Sequence, residues 1–214
     1  MYRPQKPISY LITSGQTTSA TSSTTKDFQN TVQLIETAVA AGIDLIQVRE
    51  KALETRVLYE LVKRAAKLTR NSATRLLVND RADVASSAGA DGVHLTARSL
   101  PAPVVRQAFG NNFLIGVSTH SLDEARAARD ARADFVVLGP VFQTPSKEKY
   151  GSPLGLEQLK QVCLELNSFP VIAIGGVTEN NFADCLQTGA QGVAAIRMFG
   201  NRRNLRAIVA KIHG

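Results

Sequence analysis

Tryptophan is absent from this chain of 214 residues, and cysteine, methionine and histidine are scarce, at two, two and three. Two cysteines cannot make a disulfide framework. Cys163 and Cys185 both fall inside helical patterns and suit a reducing interior. His94 and His120 have no spacing that would hold zinc. No apolar run approaches the ~20 residues of a membrane span. The opening "MYRPQKPISYLIT" is basic, but its apolar part is too short for a secretory signal. A cytoplasmic location is expected. Blocks of like charge are also missing. The formal charge is +7 and the pI near 9.7, yet the basic residues are scattered, and only Arg202, Arg203 and Arg206 cluster. That distribution fits a solvated surface favouring anionic small molecules and sets nucleic-acid and membrane partners aside.

What the chain does contain is alternation. Strand-like runs are read at 8–13, 43–48, 75–79, 91–95, 113–118, 134–139, 170–176 and 191–196. Amphipathic stretches such as "DFQNTVQLIETAVAAG" and "ETRVLYELVKRAAKLTR" separate them, with apolar residues returning every three or four positions. Near-continuous apolar strands between helices indicate a parallel sheet covered on both faces. Eight such units in one domain, residues 1–214, predict an α/β fold of the (β/α)8 TIM-barrel type, with an open doubly wound sheet as the alternative. An internal echo supports the barrel: "AGIDLIQVR", "AGADGVHL", "ARADFVVLG" and "TGAQGVAAI" each end a helix on a small residue and start a strand. Residues 1–7 read as a tail. The segments 14–26 and 140–153 read as long loops on the active face, the second as a closing lid or anion clamp.

Polar groups gather where strands end. Gln47, Arg49 and Lys51 follow the second strand, and Asn79 and Asp80 the third. His94 and Thr96 belong to the fourth, Ser118 and His120 to the fifth. Thr144, Ser146 and Lys147 lie after the sixth, Gly175 and Gly176 after the seventh, and Ile196 and Arg197 after the eighth. The glycine pair suits a phosphate that needs close backbone N–H groups at the start of the "TENNFADCL" helix, or else merely a tight turn. His94 reads as structural. His120 lies just past "IGVST" and suits proton transfer. Arg49 and Lys51 suit an anionic ligand or rim salt bridges with Glu50 and Glu54.

"IQVREK", "VNDRADVA…GADGVHL", "IGVSTHSLDEA", "ADFVVLGPVFQTPSK" and "PVIAIGG" fall in order along the chain. Together they resemble the thiamin-phosphate synthase superfamily, with its related thiazole tautomerases, over residues 8–200. The resemblance implies a (β/α)8 barrel. In the synthase branch it implies that a pyrimidine pyrophosphate and a thiazole phosphate are joined and pyrophosphate leaves. Gln47, Arg49, Lys51 and Asn79 would then hold the pyrophosphate and pyrimidine, with Ser118 and Lys147 reaching the leaving group. Thr144, Ser146, Gly176 and the backbone around Ile196 would hold the thiazole phosphate. Mg²⁺ would be held by Asp80 and by the aspartate of the motif HLGQxDLP.

In this chain that motif reads His94-Leu95-Thr96-Ala97-Arg98-Ser99-Leu100-Pro101, so Ser99 replaces the aspartate. A hydroxyl is a poor substitute for a carboxylate on Mg²⁺. Ser14-Gly15 and Arg197 are further departures from the synthase pattern. The expectation is therefore a thiazole tautomerase-like isomerase without cofactor, acting on a phosphorylated thiazole. His120 would be its acid/base, and Arg49, Lys51 or Arg197 would steady the substrate. The alternative is a Mg²⁺-dependent thiamin-phosphate synthase. A non-catalytic thiazole-phosphate binder stands behind both. A homo-oligomer is allowed by the sequence and not specified by it.

Overall fold

The echoing segments have a structural reason. In the computed structural model, which describes residues 6–144 and 152–214, eight parallel strands close into a barrel in sequence order. They are β1 (Ile8–Ile12), β2 (Leu45–Val48), β3 (Arg75–Asn79), β4 (Gly92–Leu95), β5 (Leu114–Thr119), β6 (Phe135–Leu138), β7 (Val171–Ile174) and β8 (Gly192–Ala195). The residue just before each even-numbered strand is Asp44, Asp91, Asp134 or Gln191. Each turns its side-chain oxygen to a backbone N–H of the preceding odd strand: Ser9 (2.8 Å), Leu76 (2.8 Å), Ile115 (2.7 Å) and Val171 (2.7 Å). Its own N–H returns a bond to the carbonyl of that same residue. A strand end at the barrel floor would otherwise leave these N–H groups unpaired, at about 1–3 kcal/mol each when buried. Burial pushes the Asp44 carboxyl up, but hydrogen bonds from Ser9 and His213 outweigh it and hold the group below its usual range.

The helices that cover the barrel are α1 (Lys26–Ala40), α2 (Thr55–Thr69), α3 (Ala82–Ala88), α4 (Ala102–Phe109) and α5 (Leu122–Asp130), followed by α6 (Gly155–Leu166), α7 (Phe182–Gln187), α8 (Arg197–Gly200) and α9 (Leu205–His213). In α2, Leu58, Leu61, Val62, Ala65, Ala66 and Thr69 recur at three- and four-residue spacing and are all buried. Helix α3 stops at Gly89, whose φ of 79° is the left-handed conformation that glycine adopts without a Cβ penalty. Among the described residues, no helix is long and apolar enough to cross a membrane.

Two apolar clusters result. The larger fills the space between barrel and helices. The smaller lies inside the barrel and includes Ile8, Tyr10 and Ile12 of β1 with Leu45, Leu77, Phe135, Val137 and Ile172. Strand alternation sends the next inward positions, Gln47, Asn79, His94 and Ser118, to the level above this plug. The barrel interior is thus apolar below and polar at its C-terminal mouth.

The segment between β1 and α1, rich in Ser and Thr, is laced by its own hydroxyls. Thr18 N donates to Thr21 Oγ1 (2.9 Å), Thr21 to the Asp27 carboxylate, and Ser22 N to Thr25 Oγ1 (3.2 Å). The segment after β6 is described only to Thr144 and again from Ser152, so its expected lid falls outside the described residues.

Candidate active site

The polar ring at the mouth is built from two bonded pairs. Gln47 Nε2 donates to Asn79 Oδ1 (3.1 Å), and His94 Nε2 lies 2.9 Å from Ser118 Oγ. The Tyr10 hydroxyl lies 3.3 Å from His94 Nδ1, so the ring contacts a polar group on each side. His94 is 2% exposed. Burial, helped by the nearby Arg49 charge, pushes its pKa down to about 3, so the imidazole is neutral. Burial likewise raises the Tyr10 phenol. Gly116 makes room for this arrangement: a Cβ there would lie 2.3 Å from the Phe135 ring and 2.9 Å from His94 Nδ1. His94, read from sequence as structural, is buried here and seats Ser118 as well.

Above the ring stands Arg49. Its backbone N–H donates to Thr13 Oγ1 (2.8 Å), and among the described residues it has no ion-pair partner. The expected Arg49–Glu50 rim salt bridge does not form. Glu50 points the other way along the strand and accepts from Gly15 and Thr17 instead. Lys51 follows in the exposed turn.

Asp80 presents an exposed carboxylate at the rim, with φ of 66° and its N–H donated to His94 O (2.9 Å). Ser99 is engaged within its own turn. Its hydroxyl accepts from Thr96 N (2.7 Å) and closes the Thr96–Ser99 turn. Among the described residues, no group of three His, Cys, Asp or Glu could enclose a metal. One carboxylate still fits Mg²⁺ where substrate phosphates and waters complete the shell, because that ion usually takes one or two carboxylates beside phosphate oxygens.

His120 sits at the exposed end of β5. Its ring Nδ1 donates to Gly139 O, which leaves Nε2 for a ligand. Its backbone N–H donates to Glu124 Oε2 (2.7 Å), while Ser121 caps α5 by accepting from Glu124 N (3.2 Å). Thr144 is buried, and Arg197 Nη2 donates to its Oγ1 (3.4 Å). Ser146 and Lys147 lie outside the described residues.

The glycine pair, read from sequence as a phosphate seat or a tight turn, also has a packing reason. Gly175 and Gly176 have φ of 95° and 68°. A Cβ on Gly175 would lie 2.5 Å from Pro140 Cα, and one on Gly176 would lie 2.6 Å from Gln143 O and Phe142 Cβ. Passage of the segment after β6 therefore requires both glycines without any ligand. They also do not open a helix directly, since α7 begins only at Phe182, after a turn in which Thr178 N donates to Asn181 Oδ1. Arg197 begins the four-residue α8 directly after Ile196, and both line a cavity of about 680 Å³ that runs past Ile12, Ser14 and Gln16 to Asn30 and Leu34 of α1 and includes none of the ring residues.

The mouth of this (β/α)8 barrel thus carries a bonded polar ring, the Arg49 cation and an exposed carboxylate at Asp80. The chain belongs to the family described as thiamine monophosphate synthase, whose model matches residues 10–199. A Geobacter sulfurreducens protein named putative thiamine-phosphate synthase is 47% identical over 163 residues, 76% of each chain. One from Moorella thermoacetica named thiamine-phosphate synthase is 38% identical over 191 residues, 86% of this chain and 90% of the relative. The solved thiamine phosphate pyrophosphorylase of Pyrococcus furiosus superposes with a TM-score of 0.80 at 33% identity, over 97% of both chains. These relatives carry the synthase's name. They favour the alternative drawn from sequence over the tautomerase expectation, for which they offer no support.

Proposed function

We propose that this chain is a thiamine-phosphate synthase of thiamine biosynthesis, joining a pyrimidine pyrophosphate to a thiazole phosphate with release of pyrophosphate. The observation that carries the reading is the ring of Gln47–Asn79 and His94–Ser118 beneath an Arg49 without a carboxylate partner among the described residues. Arg49 holds the pyrophosphate, and its planar guanidinium matches phosphate oxygens in pairs. Gln47 and Asn79 fix each other and present their remaining amide groups to the pyrimidine. With Tyr10 donating to Nδ1 and Nε2–H donating to Ser118 Oγ, the Ser118 proton is left for a departing oxygen. In that tautomer the neutral ring accepts from Tyr10 at Nδ1; a protonated ring would lose that bond while still donating from Nε2 to Ser118 Oγ. The carbon–oxygen bond to pyrophosphate breaks with its electron pair on oxygen, and the thiazole supplies the new bond to carbon. Thr144, Ser146, Gly176 and the backbone around Ile196 receive the thiazole phosphate, Arg197 steadies it, and Lys147 reaches the leaving group with Ser118. Asp80 would hold Mg²⁺ beside the substrate phosphates, and the ion would neutralise the charge on the leaving pyrophosphate.

A second reading, the proton shift on a thiazole carboxylate phosphate, is favoured by Ser99, whose hydroxyl closes its own turn. Under it, His120 Nε2 takes and returns the proton. Purified protein given both synthase substrates with Mg²⁺ tests the proposal: release of pyrophosphate with formation of thiamine phosphate supports it. Turnover of the thiazole tautomer alone moves the function to the second reading. Binding without either turnover makes the chain a binder.

A further inference from the structure

Glu50 lies between two cations in "VREKA", yet it is 3% exposed and its carboxylate serves neither as a rim ion pair nor as a ligand. Its Oε1 accepts from Gly15 N (3.1 Å), and its Oε2 from Thr17 N (3.3 Å) and Thr17 Oγ1 (2.7 Å). Thr17 is itself buried. Three donors from one short segment thus converge on one buried carboxylate, an arrangement in which loss of either side leaves the other unsatisfied. The anchored segment lies against Arg49. Gly15, at φ of 69°, approaches so closely that a Cβ on it would lie 3.3 Å from Arg49 O and 3.6 Å from Arg49 Nη1. Thr13, just before it, accepts the Arg49 N–H. Ser14 and Gln16 of this stretch line the 680 Å³ cavity that Arg197 also lines.

We propose that Glu50 is a positioning residue, holding the Gly15–Thr17 segment behind Arg49 so that the guanidinium is set for an anionic, phosphate-bearing ligand. The proposal rests on the reading of Arg49 as the residue that holds pyrophosphate. Glu50 never touches that ligand. It acts through the segment, which restricts where Arg49 can go, and a restrained cation loses less side-chain entropy when it binds.

Titration calorimetry with inorganic pyrophosphate tests this on the full chain and on Glu50→Gln, Thr17→Val and Thr17→Ser. Glu50→Gln places amide hydrogens against backbone N–H groups, Thr17→Val removes one donor at nearly constant shape, and Thr17→Ser keeps it. The expected result is a Kd for pyrophosphate raised about tenfold in Glu50→Gln and Thr17→Val and restored in Thr17→Ser. Hydrogen exchange at Gly15 and Thr17 should be faster in the two weakened variants, and KM for the pyrophosphate substrate should rise more than kcat falls. If Glu50→Gln does not fold, Thr17→Val decides. Unchanged pyrophosphate affinity in the folded variants would overturn the role of Glu50 while leaving Arg49 in place. A wild-type chain that does not bind pyrophosphate would overturn the Arg49 reading and this proposal with it.

Discussion

A neutral histidine at the centre of the mouth makes a specific demand on pH. His94 has a folded-state pKa near 3, against the 6.5 it has when exposed, because burial and the Arg49 charge both disfavour its cation. Between those values the unfolded chain binds a proton that the folded chain does not, so stability falls as pH falls through 6.5 toward 3. At about pH 4.5 the unfolded state has gained roughly two pKa units of proton binding, about 3 kcal/mol at 1.36 kcal/mol per unit. Acidification also protonates the carboxylates of the unfolded chain, so the wild type is compared with His94→Gln, which lacks the ring. Urea unfolding followed by circular dichroism at about pH 7 and about pH 4.5 gives the two differences. The wild type should lose about 3 kcal/mol more than the variant on acidification. Equal losses would refute the claim that His94 is held neutral.

Arg106, 6% exposed, donates to the carbonyls of Gly110, Phe113 and Arg132 and to Asp134 Oδ2 (2.7 Å). Arg106→Ala should cost about 3–5 kcal/mol in urea unfolding, and Arg106→Lys should not restore it, since a point charge cannot span those acceptors. Gly176→Ala should lower stability by about 1–3 kcal/mol, through a left-handed φ and the contact with Gln143 O, visible as a lower Tm. Asp80→Asn should raise the Mg²⁺ concentration needed for half-maximal activity, and Ser99→Asp should lower it; an unchanged metal requirement in both would remove Asp80 as a ligand.

The barrel was legible because its signals are local. Alternating apolar strands and helices announce themselves within a few residues, and the echo before β2, β4, β6 and β8 was visible as a pattern. What the echo does was not legible, because Asp44 reaches a strand 35 residues away and Gln191 one 20 residues away. The same limit hid the seat of His94, whose partner Tyr10 is 84 residues distant. Gly175 and Gly176 were legible as special backbone, but the neighbour that requires them, the segment through Pro140 and Gln143, is non-local. Glu50 was one of two partners the sequence offered Arg49, a rim counter-ion or an anionic ligand, whereas its carboxylate accepts from Gly15 and Thr17. Ser99 was read as standing where the synthase motif has a carboxylate. The separation of the synthase from the tautomerase on that one residue carried further than the relatives support.

The central claim is that this mouth joins two phosphorylated heterocycles. Its most direct measurement is a coupled assay of pyrophosphate release, with the pyrimidine pyrophosphate, the thiazole phosphate and Mg²⁺ on purified protein. The account predicts turnover that needs all three and falls sharply in Arg49→Ala and Ser118→Ala. No pyrophosphate release under those conditions, from a folded protein that turns over a thiazole tautomer instead, would contradict it.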